Sequence, residues 1–278
     1  MTGQALLVVR VLYGGTFLGL LAFLLLWEGG QPQVAFVTSR ARVTHVLRNL
    51  AIFLLVVFFA DYVIGQWLIP SSSLLLHASS SGLALYRLPL FLQVLLAFLA
   101  SDLLDYGFHW ASHRVGWLWR LHSVHHSDTH LDATTALRAH PVEVSLQVIC
   151  KVALYLALGL PLWIEGVRSI AHNAFTLVQH TNVQFPAWME RLRLLFVTPA
   201  LHRVHHDVQP SLHDTNFGFI FSFWDRLFGT YSLPDPVRLD RVGLTGYEDE
   251  SWQTVSGMLL TPVRRFPASP LNIGTLPG

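Results

Sequence analysis

The chain is poor in cysteine, lysine and charge, and each scarcity removes a class of protein. Cys150 stands alone among 278 residues, so no internal disulfide staples the fold. It lies in an apolar run and reads as a small buried hydrophobe. Lysine occurs once, at Lys151; the other basic residues are arginine, a bias that fits the GC-rich coding of a bacterial source. Charged residues make up only 13%, about half the usual share of a soluble domain, and mean hydropathy is +0.45. A formal charge of +1 with no basic stripe excludes a nucleic-acid partner. Several catalytic signatures are missing as well. Without H-E-x-x-H a zinc peptidase is disfavoured, and there is no Glu-x-x-His pair of the soluble di-iron carboxylate bundles. G-x-S-x-G, a P-loop and a dinucleotide fingerprint are also lacking.

Histidine is what the chain has in excess, with fifteen. Eight fall into three boxes: His109-x-x-x-His113, His122-x-x-His125-His126 and His202-x-x-His205-His206. On a helix His109 and His113 share a face one turn apart, and each triplet sets one imidazole opposite two others a turn later. Imidazole suits divalent transition metals such as iron and zinc. Scattered enrichment would describe a metal-buffering surface, but a spacing repeated beside apolar sequence describes a chelating site. Eight ligands exceed the needs of one ion, so two metals are expected. Between the boxes lie His130, His140, His172, His180 and His213. His180, at the end of an apolar segment, is a further expected ligand, whereas His45 and His77 fall in connectors and read as solvated.

Hydropathy gives the architecture. Ala5–Trp27 is apolar except for Arg10 and has no small-residue cleavage site, so it reads as a retained helix and not a signal peptide. A second span runs from about Leu50 to Ile69 and contains Asp61, a candidate for function or for a helix-to-helix hydrogen bond. A third, Leu88–Ala100, leads into the first box. Val142–Ile164, interrupted by Pro161, either forms a broken pair with residues 166–183 or begins two full crossings. Arg40, Arg42 and Arg48 place the connector ahead of the second span in the cytoplasm, and the histidines return to that side. Trp188, Leu192, Leu195 and Phe196 suggest an amphipathic interfacial helix. The expected fold is therefore all-α: an integral-membrane bundle of about four transmembrane helices under a cytoplasmic helical cap that holds a dimetal site. Residues 1–250 form one membrane catalytic domain and 251–278 a loose polar tail.

An all-imidazole site leaves metal charge uncompensated, so outer acids should orient the rings. Asp102, Asp105, Asp128 and Asp207 lie beside the boxes, with Asp105 at i,i+4 from His109. His140, just ahead of Pro141, is a ligand or outer-shell candidate.

With the boxes on a multi-span chain, the sequence resembles the sterol desaturase and fatty acid hydroxylase superfamily of membrane di-iron oxygenases. Supporting stretches are Asp102 and Tyr106, Leu121–Ser127, Ala139-His140-Pro141-x-Glu143, Asp214-x-Asn216-Phe217-Gly218 and Trp224–Tyr231. Trp110 stands where the family often has an arginine after the first histidine. The resemblance implies two non-haem irons and O₂ as co-substrate. It further implies hydroxylation, or desaturation, of an unactivated C–H bond in a lipid such as a fatty acyl chain or sterol. Electrons would come from an external donor: cytochrome b5, ferredoxin or a flavoprotein reductase. It also implies Asn216 as an outer-shell residue and a division of ligands, while the arginine bias makes a bacterial inner membrane the expected location. His109, His113, His122, His126 and His206 would hold one iron, and His125, His180, His202 and His205 the other. Two rivals remain from other classes: a bis-histidine haem electron-transfer protein, and a zinc-dependent membrane lipid hydrolase.

Overall fold

The computed structural model describes residues 3–63, 83–233 and 241–265. His77, the Asp61 side chain, most of the serine-rich connector and residues 266–278 lie outside the described residues. The fold is all-α; among the described residues the extended pairings are two isolated bridges, Phe196 with Phe221 and Asp207 with Val242. Helices are what apolar runs of this length must form, because hydrocarbon offers no partner to a backbone N–H or C=O.

Five long helices carry the bundle: α1 (Gly3–Gly30), α2 (Ser39–Val63), α3 (Leu90–Arg114), α5 (Pro141–Leu158) and α6 (Leu162–Gln179), with α4 (Gly116–His126) between α3 and α5. Ser39–Ala60, Leu90–Arg114 and Pro141–Leu158 are long and apolar enough to cross a membrane, which makes the chain an integral membrane protein. Three such spans are found among the described residues, where about four were expected; α1 contributes the apolar stretch Gly14–Gly30. α6 falls short of the same hydropathy because Glu165, Arg168 and His172 lie along it. The second span also begins earlier than expected, at Ser39. His45 is therefore a helical residue, held between Asp128 and Asp132 at 3.5 Å from each, and not a solvated connector residue.

The chain leaves the histidine region at Pro141 and returns to it at His180, with eighteen residues in each of α5 and α6. At 1.5 Å per residue each helix is about 27 Å long, so these are full-length helices instead of half-helices. Their turn requires a glycine: Gly159 has φ +64°, and a Cβ there would lie 2.9 Å from the Ala84 nitrogen. Tyr155, Leu160 and Ile164 pack with Ala97 of α3, while Leu21 and Leu24 of α1 pack with Ala133, Leu137 and Leu177.

The cap is built from α4, α7 (Pro199–His205), α8 (Phe223–Phe228) and α9 (Val255–Leu260). α9 corrects the expectation of a loose tail from residue 251. Its Met258 is fully buried against Ile52 and Val124, because the apolar face of V-S-G-M-L-L closes over α2 and α4. The expected interfacial helix is broken into a short helix, Ala187–Glu190, and a 3-10 turn, Arg191–Leu194, with Trp188 and Leu195 exposed.

Candidate metal centre

Four elements bring the imidazoles together. α3 continues without a break past its apolar stretch and carries His109 and His113. One extended residue, Val115, then turns the chain into α4 with His122, His125 and His126. His180 terminates α6. Thr198 caps α7 by accepting from the Leu201 N–H, with Pro199 in its first turn, and sets His202, His205 and His206 one helical turn apart. All nine expected ligands meet in one region.

They sort into two groups whose ligand atoms lie within 4.8 Å of one another: His109, His113, His122, His126 and His205, and then His125, His180, His202 and His206. This exchanges the adjacent pair His205 and His206 relative to the division that the resemblance implied. The cause is the local helix. His205 turns Nδ1 to the Thr215 carbonyl at 2.7 Å and faces His109, whereas His206 faces His202 and His125.

Within the second group Nε2 atoms approach at 3.2 Å (His125, His180), 2.9 Å (His180, His202) and 3.2 Å (His202, His206). In the first, His113 and His126 meet at 3.1 Å. Two ligands at right angles on an ion about 2.1 Å away are separated by about 3 Å, so the donor set fits a metal. Three buried nitrogens without a hydrogen-bond partner agree: Nε2 of His109, His122 and His205. Unpaired buried polar atoms are costly, and a bound ion satisfies them.

Outer contacts set the rings. Nδ1 of His109 faces the Phe217 carbonyl at 2.9 Å, that of His125 the Arg138 carbonyl at 3.2 Å, and that of His180 the Thr176 carbonyl at 2.7 Å. Glu143 accepts from His122 Nδ1 at 2.6 Å, and Asp214 from His113 Nδ1 at 3.2 Å. An acceptor at Nδ1 keeps the proton there and leaves the Nε2 lone pair pointing inward. Burial, followed by the neighbouring imidazoles, holds His125, His126, His202, His205 and His206 well below the ordinary histidine value. His122, also lowered by burial, falls to about 3, as does His180. The rings are neutral at physiological pH, the form that binds a metal.

The acids expected to orient rings are engaged elsewhere. Asp102 accepts from the Ile220 and Phe221 N–H groups and from Trp224 Nε1, pinning the loop behind the site. Asp105 points away from His109 toward Lys151, Arg168 and His172. Asp128 accepts from Asn49 and Thr135, and Asp207 from the Gln209 N–H. Asn216, in a left-handed conformation at φ +55°, ties the Leu201 and Ser232 backbones together. His140 caps α5 by accepting from the Val142 N–H and lies outside both groups of imidazoles. Glu143 and Asp214, both inside motifs legible in the sequence, hold the roles that were assigned to these residues.

A cavity of about 440 Å³ opens beside the histidines. His109, His122, His125, His180 and His202 line it, as do Phe17 of α1 and Phe53, Val56 and Val57 of α2.

Residues 94–230 match the family model described as fatty acid hydroxylase. The chain is 34% identical over 133 residues to an alkylglycerol monooxygenase of Caenorhabditis elegans, covering 47% of this chain and 25% of that protein. It is 32% identical over 163 residues to the ornithine lipid hydroxylase OlsE of Rhizobium tropici, covering 57% and 47%. A human alkylglycerol monooxygenase is 33% identical over 137 residues, covering 49% and 29%. The aligned part thus spans between a quarter and about half the length of these relatives. No solved structure matches the chain.

Proposed function

Since residues 94–230 belong to the fatty acid hydroxylase family, we propose that the protein is an O₂-dependent membrane monooxygenase that hydroxylates an unactivated C–H bond of a lipid. The observation that carries this reading is the convergence of nine imidazoles in two groups beside a cavity that five of them line together with apolar residues of α1 and α2. His109, His113, His122, His126 and His205 would hold one iron, and His125, His180, His202 and His206 the other. Two irons bound there would supply the reduction of O₂ and the activation of the C–H bond.

The rest is the work of the chain. Phe17, Phe53, Val56 and Val57 receive an apolar chain dissolved in the bilayer without exposing it to water. Glu143 and the carbonyls of Phe217, Arg138, Thr176 and Thr215 hold the ring protons of His122, His109, His125, His180 and His205 at Nδ1. The substrate is a membrane lipid; the names of the relatives favour hydroxylation over desaturation and leave the acyl, ether or sterol class to experiment. Electrons come from an external carrier, cytochrome b5, ferredoxin or a flavoprotein reductase. Arginines 40, 42 and 48, at the cap end of α2, support a site on the cytoplasmic face, and the bias of arginine over lysine supports a bacterial inner membrane. A haem bound by two histidines, or a zinc held by three, accounts for only part of a nine-ring cluster.

The test is lipidomics under ¹⁸O₂ of cells with and without the protein. One lipid should gain a single labelled oxygen atom, dependent on His125 and His205. Unlabelled products, or labelled products unchanged by either alanine variant, would overturn the proposal.

A further inference from the structure

Five ionisable side chains meet inside the helical bundle, away from the metal ligands. Asp105 of α3 lies 3.0 Å from Lys151 of α5, 3.3 Å from Arg168 and 3.2 Å from His172 Nδ1, the last two on α6. Glu165 pairs with Arg168 at 2.7 Å, lies 3.8 Å from Lys151 and accepts from Ser101 Oγ at 3.3 Å. Ionisable groups within an apolar bundle are costly and commonly mark proton routes. The plain alternative is a charge-neutral structural knot. Two acids and two bases, Asp105 and Glu165 with Lys151 and Arg168, already balance, however. His172 is therefore the extra member, and charge balance does not require it.

Its surroundings give it a task. The ring stacks on Phe219 at 4.9 Å and lines the same 440 Å³ cavity as His109, His122, His125 and His202. Nδ1 faces Asp105, which fixes the proton there and leaves Nε2 as the nitrogen free to exchange a proton on the cavity side. Glu143, the other titratable non-ligand lining the cavity, is already engaged by His122.

We propose that His172, held by Asp105, is the proton donor of the site. The inference rests on the monooxygenase reading. In that reaction one oxygen atom enters the C–H bond and the other leaves as water. Each turnover consumes one O₂, two electrons from the external carrier and two protons. His172 works as the imidazolium: Nε2 releases its proton into the cavity, the ring keeps the Nδ1 proton facing Asp105, and Nε2 then takes up the next proton from solvent.

The test compares wild-type protein with H172N, whose amide retains a donor to Asp105. Iron-loaded protein in micelles receives electrons from reduced methyl viologen and a total lipid extract of the expression host. H172N should keep its full iron content, lose about a hundredfold in oxygenated lipid and release hydrogen peroxide in place of product, with a changed solvent deuterium isotope effect. H172A should recover part of its product yield with added imidazole, which should not affect the wild type. Independently of turnover, ¹⁵N-histidine spectra should show a resonance that disappears in H172N and belongs to a ring protonated at Nδ1. Wild-type coupling and isotope effect in H172N would overturn the relay, as would loss of iron or a neutral ring whose one proton resides on Nε2. If wild-type protein yields no oxygenated lipid, the monooxygenase reading fails first and the relay with it; normal product in wild type and H172N alike sinks the relay alone.

Discussion

Neighbouring histidines in one box serve different groups, which makes the residue scale the most discriminating. His206 belongs to a set of four imidazoles and His205 to a set of five. H206A leaves three donors in its group and should lower bound iron from two per chain toward one. H205A leaves four donors and should retain more iron while still abolishing turnover. Elemental analysis of anaerobically purified variants reads both. Glu143 supports His122 without being a ligand, so E143A should weaken iron retention against a chelator by roughly 10- to 100-fold. E143Q, whose amide oxygen still accepts from Nδ1, should weaken it less. The boxes were legible because turn-spaced imidazoles are chelating by geometry alone. Most of the groups that orient them were not, because the carbonyls of Phe217, Thr215, Arg138 and Thr176 leave no residue-type signature. Asp105 was misassigned for a related reason: helical spacing fixes its position relative to His109, but not the attraction of Lys151 and Arg168 from two other helices.

At the scale of elements, two connections carry more than their length suggests. The Gly159 turn lets α5 leave the metal region and α6 return to it. G159A combines left-handed strain of about 1–2 kcal/mol with a Cβ driven to 2.9 Å from the Ala84 nitrogen, so it should lower the unfolding midpoint of the protein in detergent. An unchanged midpoint would mean that the turn is not formed as described. α9 makes a similar demand. Met258 is fully buried against α2 and α4, and M258A should cost about 2–4 kcal/mol, with a loss of iron if the cap holds the second box in place. Composition hid this helix. The last thirty residues are Pro-rich and aperiodic taken together, and the six apolar-faced residues of α9 are too few to stand out until α2 is beside them.

For the molecule as a whole, the division of labour follows depth. Apolar helices form a bundle, the polar ends of α3, α4, α6 and α7 close over it, and the histidines sit where the two meet. The sequence supports this outline because hydropathy and box spacing are both periodic signals. The length and number of spans were less secure: helix α2 begins eleven residues before its apolar run, and α6 carries an ion cluster that lowers its hydropathy. The central claim is that two irons are held by two specified sets of imidazoles. Anomalous scattering at the iron edge from crystals of anaerobically loaded protein tests it most directly. The account predicts two peaks, one among His109, His113, His122, His126 and His205, the other among His125, His180, His202 and His206. A single peak, or iron bound outside these two sets, would contradict it.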